Sequence, residues 1–102
     1  MTRLPALGRV GLVMDEVLER YVDFATRLRM GEGLDRSEFD ALLGEIERIV
    51  TAHGHVPKKL ALMLIDFPID LESGLTHLKG EQQELIRAAI DDYLEFVNEL
   101  LS

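Results

Sequence analysis

From Val10 to Leu28, apolar residues return at intervals of three and four: Val10, Val13, Met14, Val17, Tyr21, Phe24 and Leu28. Glu16, Glu19, Asp23 and Arg27 fall on the opposite side. A half-buried strand alternates every second residue, whereas this interval follows the turn of an α-helix, so the segment predicts a long amphipathic helix. Leu18, Val22 and Ala25 widen its apolar sector to about half the cylinder, more than a surface helix packed on one neighbour needs. Such a helix requires two or more others around it.

The rest of the chain supplies them. Met30-Gly31-Glu32-Gly33 ends the first helix, since glycine accepts the left-handed conformation that closes one. Asp35 with Glu38 three residues later has the form of an N-terminal cap. Phe39, Leu42, Leu43, Ile46, Ile49, Val50 and His53 then trace a narrower stripe, predicting a second helix over residues 36–53. Gly54 closes it, and Pro57 suits the start of another.

Leu60 to Ile65 are apolar all round. Ala, Leu and Met favour helix over sheet, and no second strand pattern exists to pair with them, so a short central helix buried on most sides is expected there. Pro68 lacks a backbone N–H and restricts Phe67, which predicts a bend at residues 67–69. Asp70 could cap a further short helix carrying Leu71, Leu75 and Leu78, weakened by Ser73-Gly74. After Gly80 a last helix buries Ile86, Ala89, Ile90, Tyr93, Leu94, Phe96, Val97, Leu100 and Leu101. The expected fold is a single all-α domain over residues 1–102, a compact bundle of four to five helices with long first and last members.

A chain of 102 residues, 47% hydrophobic and 29% charged, can bury one core without staples. It has no cysteine, which removes disulfides, thiolate metal clusters and thiol nucleophiles and suits a reducing compartment. Arg9 splits the apolar start, and no small-residue cleavage pattern follows, so a secretory signal is not expected. The longest apolar run, Leu60 to Ile65, is far shorter than the roughly 20 residues that span a bilayer. These features point to the cytoplasm.

The net charge is -8, and it is uneven. Residues 81–102 hold six acidic residues against Arg87 alone, and Glu84, Asp91, Asp92, Glu95 and Glu99 share the outer side of the last helix. The steps from Asp91 to Glu95 to Glu99 set like charges four residues apart, which costs an isolated helix a few tenths of a kcal/mol each. Phosphate backbones and anionic membranes demand basic residues, so neither nucleic acid nor membrane is an expected partner. Asp91, Asp92, Glu95 and Glu99, with Glu38, Glu45 and Glu47 on the second helix, form the candidate surface for a basic protein.

Chemistry is harder to find. His53, His55, Asp66, Asp70, Glu72 and His77 have ligand or acid-base side chains, but their spacing matches no helical metal motif. His53 is expected half-buried on the apolar stripe, with His55 and His77 solvated. Asp66 is the one charged residue between Leu60 and Phe67, and it reads as a helix-edge carboxylate. No serine or threonine sits in a nucleophile elbow, and Gly8-Arg9-Val10-Gly11 reads as a flexible helix entry rather than a phosphate loop. Lys58-Lys59 could reach an acidic group, the last-helix ridge being the nearest suggestion.

These readings predict a non-enzymatic protein-protein interaction domain without cofactor or metal, of the inhibitor, immunity-type or adaptor kind. The next reading is a structural homodimeric subunit, using surplus apolar width on the first or last helix. A small metal-binding or hydrolytic bundle built on His53, His55, Asp66 and Asp70 comes third.

Overall fold

The computed structural model describes residues 3–101, with side chains from Met14 onward. The side-chain positions expected of Val10 and Val13 lie outside the described residues. Four helices account for nearly all of it: α1 (Arg3–Arg29), α2 (Arg36–His53), α3 (Lys58–His77) and α4 (Glu81–Leu101). The chain is all-helical, and no strand occurs among the described residues. Gly8 to Gly11 lie inside α1 and are not a flexible entry to it, because helical hydrogen bonding begins at Arg3 with Pro5 in the first turn, where a missing N–H costs little.

The punctuation between helices follows the local chemistry. The Asp35 carboxylate accepts the Glu38 N–H at 3.1 Å and caps α2, and Gly54 ends it at a φ of 76°. Leu34, in the α1–α2 turn, is buried, and its N–H donates to the Gln82 side chain at 3.0 Å. That bond ties the turn to the start of α4.

Packing runs in a ring: α1 lies against α2 and α3, and α4 lies against α3 and α2. Tyr21 meets Phe67 and Asp70 while Leu28 meets Gly74, so α1 and α3 run in the same direction. Tyr93 meets Leu64 and Ile86 meets Gly74, so α4 runs against α3. Residues 54–57 therefore carry the chain from the corner held by α2 to that held by α3, across the bundle.

The core gathers around Phe67. Its ring lies 4.9 Å from Tyr21, 5.8 Å from Phe24 and Phe39, and 4.7 Å from Tyr93, centroid to centroid. All four helices thus contribute to one aromatic cluster. Leu28, Leu42, Ile46, Leu60, Leu71 and Ile86 fill the space around it without exposure to solvent. Tilted ring pairs at these distances add about 0.5–1.5 kcal/mol each beyond the area they bury.

The central segment departs most from expectation. The chain does not break at residues 67–69 into two short helices: α3 is one helix of 20 residues that runs through Pro68, nearly the length of α4. Proline at 68 cannot donate to the carbonyl of Leu64, four residues earlier. The Tyr93 hydroxyl of α4 donates to that same carbonyl at 2.5 Å, so the group orphaned by Pro68 is satisfied from a neighbouring helix. Gly74 also has a purpose. A Cβ there would lie 2.8 Å from Ile86 Cδ1 and 3.2 Å from Leu28 Cδ2, so glycine lets α1, α3 and α4 close together.

Burial along α3 also differs. Leu60, Met63, Phe67, Leu71 and Gly74 face the core, but Leu62 and Ile65 are exposed, so the helix is not buried on most sides. Two neighbours cover one sector of α3, and no fifth helix among the described residues covers the other. His53 is likewise exposed rather than half-buried, because the last buried residue of α2 is Ile49 and the helix end from Thr51 onward stands clear of the core.

Candidate interaction surface

Of the acidic residues singled out in the sequence, several are held by arginines and others stay exposed on α4. Glu38 turns toward α1, where the Arg20 guanidinium grips it in a fork at 3.2 and 3.0 Å. Glu45 pairs with Arg48 at 3.2 Å on its own helix. Asp92 accepts from Arg36 at 2.5 Å, and Arg36 also holds Asp40 at 3.0 Å and lies 5.0 Å above the Phe39 ring. Glu38 and Asp92 thus tie α2 to α1 and to α4, while the Glu45 pair stays within α2. Glu47 and Glu99 come together across α2 and α4, lining a shallow depression with Val50, Thr51, Phe96 and Leu100. Asp91 and Glu95 remain exposed on the outside of α4.

The groups weighed for chemistry are dispersed. His53 and His55 sit together at the end of α2, where the His55 Nδ1 lies 3.1 Å from the His53 carbonyl. Asp66 and Asp70 are one turn apart in the middle of α3. No cluster of three metal-ligating side chains occurs among the described residues. Asp70 does not cap a helix: it accepts the Tyr21 hydroxyl, with Arg29 at 4.0 Å on its other oxygen. Burial, reinforced by this hydrogen bond, pushes the Tyr21 hydroxyl well above the usual tyrosine range. Tyr93 is pushed in the same direction by burial. Both phenols are held as proton donors that cross-link helices. Lys58 and Lys59 are exposed at the first turn of α3, and neither reaches the α4 ridge.

The strongest surface feature was not singled out in the sequence. On α3, Lys58, Leu62, Ile65, Ile69, Glu72 and Thr76 follow one another at four, three, four, three and four residues, and all six are exposed. That spacing is the seam of a helix meeting another helix. It lies opposite the buried seam, between a flank where Asp70 meets α1 and a flank where Leu64 and Leu75 accept hydrogen bonds from α4.

Both flanks extend it. Val22 lies on the same line of α1 as Arg29, which approaches Asp70 of α3. Leu94 lies three turns along α4 from Gln83, which donates to the Leu75 carbonyl of α3, and Leu101 is two turns further. Val22, Leu62, Ile65, Ile69, Leu94 and Leu101 are each between 56% and 65% exposed. Together they present on the order of 600 Å² of apolar surface on one side of the bundle, at the top of what an isolated domain shows.

The signal for this face was in the sequence. Leu60 to Ile65 cannot be enclosed all round by a bundle in which each helix has two principal neighbours, so an all-apolar segment implies an outward apolar sector. No helix among the described residues is long and apolar enough to cross a membrane, which removes one use for such a sector. In comparison with known proteins the chain matches no family model, no curated sequence and no solved structure.

Proposed function

We propose that this chain is a non-enzymatic protein-interaction domain of the cytoplasm that docks through the apolar face centred on α3. The observation carrying this reading is the exposure of Leu62, Ile65 and Ile69 along one line of α3, with Val22, Leu94 and Leu101 exposed on the two helices that flank it. Isolated exposed leucines are ordinary on protein surfaces, but six large apolar groups on one side are not. Removing them from water on docking supplies the affinity.

The acidic surface has a separate task in this reading. With a net charge of -8, and with Asp91 and Glu95 exposed beside the Glu47–Glu99 depression, the chain attracts proteins with basic surfaces and repels acidic ones. An inhibitor, an immunity-type protein or an adaptor works by such a combination.

Immobilised wild-type chain and an Ile65→Glu variant, compared for the proteins they retain, test the reading. Association of any kind, with itself or with another protein, should be lost in Ile65→Glu while its helical circular dichroism is kept. The same retained proteins on both would overturn it. Replacing Asp91 and Glu95 with lysine should weaken association in a salt-dependent way without unfolding the chain, and unchanged binding would remove the steering role.

A further inference from the structure

The face has a symmetry that selects its occupant. Ile65 stands at the middle of the exposed seam on α3, with Lys58 seven residues before it and Glu72 seven residues after. The centre of the seam is apolar and its two ends carry opposite charges. Neither Lys58 nor Glu72 makes an ion pair within its own chain among the described residues.

We infer that a second copy of this chain covers the face, with the two α3 helices antiparallel about a two-fold axis that passes over Ile65. The inference rests on the proposed role of that face in docking. A two-fold axis there sets Ile65 against itself, brings Leu62 alongside Ile69 of the second copy, and places Lys58 opposite Glu72 of the second copy at both ends. A parallel arrangement would set lysine against lysine and glutamate against glutamate. The seam is complementary to itself in one direction only, which is the requirement for a closed two-fold dimer.

Size and charge agree. An exposed apolar area on the order of 600 Å², with a polar rim added, approaches the roughly 800 Å² that each partner buries in a stable interface. Two copies with a net charge of -8 each would repel if they met through α4, where six acidic residues oppose Arg87. Residues 57–80 instead hold three lysines against three acidic residues, so the chains approach at a balanced surface. Val22 on one flank and Leu94 and Leu101 on the other are carried into the same contact. Glu95, exposed on α4, is not among the residues of this contact, so each copy keeps acidic surface for a basic protein.

Because these 102 residues include no cysteine, an introduced one is their sole thiol. Ile65→Cys should give a disulfide-linked dimer on mild oxidation. Lys58→Cys and Glu72→Cys should each link poorly alone and efficiently when mixed. Thr51→Cys, on exposed α2, sets the background. In sedimentation equilibrium the wild type should dimerise and Ile65→Glu should not. Lys58→Glu and Glu72→Lys should each weaken the dimer on the order of tenfold, two exposed pairs being turned into two repulsions. The double exchange should restore it.

A wild type that stays monomeric at high concentration would overturn the inference, as would Lys58→Cys linking to itself or a dimer indifferent to Ile65→Glu. If the wild type is monomeric but still retains other proteins in an Ile65-dependent way, the docking face stands and the second copy falls. If Ile65→Glu changes nothing in either experiment, both readings fail.

Discussion

The two sides of α3 both carry large apolar residues at their centres and have opposite fates. Inward, Leu60, Met63, Phe67 and Leu71 are buried among three other helices; outward, Leu62, Ile65 and Ile69 stand in solvent. Hydrophobicity therefore does not decide which side becomes core. Position relative to α1 and α4 does, together with groups that lock the helix in that rotation: the Tyr21 hydroxyl on Asp70, the Tyr93 hydroxyl on the Leu64 carbonyl, and Gly74 under Ile86. A rotation of α3 by half a turn would still bury Leu62, Ile65 and Ile69, but it would carry Lys58 and Glu72 inward and lose all three.

The sharpest test of this contrast is at the centre of the core. Phe67→Ala should cost about 3–5 kcal/mol in urea unfolding, because it removes the ring that four others contact and leaves a cavity that helices locked on every side cannot fill. A cost near 1 kcal/mol would mean that the core is loosely packed and that the two sides of α3 differ less than their exposure suggests.

Alkaline titration tests the locks together. Both tyrosines have hydroxyls pushed above their ordinary range in the folded chain, so ionisation favours the unfolded state. The stability they confer is fully present below the unfolded value near 10 and should fall as pH rises beyond it. Thermal melts from pH 8 to 11 should show a flat region followed by a decline, and a Tyr21→Phe and Tyr93→Phe double variant should flatten that decline. A decline of equal slope in the double variant would assign it to other groups.

The pairing of Tyr93 with Pro68 is a finer lock. Tyr93→Phe should cost about 1–3 kcal/mol, the penalty for leaving the Leu64 carbonyl without a donor. Pro68→Ala restores an N–H at the position where the helix needs one, so in that background Tyr93→Phe should cost much less. The two substitutions form a double-mutant cycle, and additive costs would show that the hydroxyl does not compensate for the proline.

This pair also marks the limit of what could be read from the sequence. Helix periodicity and capping residues gave away α2 to its last residue, because Asp35 and Gly54 act locally. Pro68 misled because its remedy sits 25 residues further on, in a helix whose orientation no local pattern records. The acidic residues were legible as charge and only partly as pairs: Glu45 meets Arg48 within its own helix, whereas Glu38 and Asp92 find their arginines through folding, on α1 and α2. The apolar seam was visible as spacing on α3, but deciding which sector remains outside required knowing that only α1 and α4 flank it.

The outer side should give the smallest effect on stability, and that smallness is its signature. Leu62→Asp, measured at dilution where chains do not associate, should change the unfolding free energy by less than about 0.5 kcal/mol, as surface substitutions do. The sequence alone suggests the reverse, since Leu62 lies in the most apolar stretch of the chain and a buried aspartate there would unfold it. In the folded chain Leu62 is 59% exposed, and an aspartate replacing it keeps its water. Loss of several kcal/mol would return Leu62 to the core and dissolve the face on which the docking argument stands. A near-native melt together with lost association would show that this leucine serves contact between molecules rather than the fold.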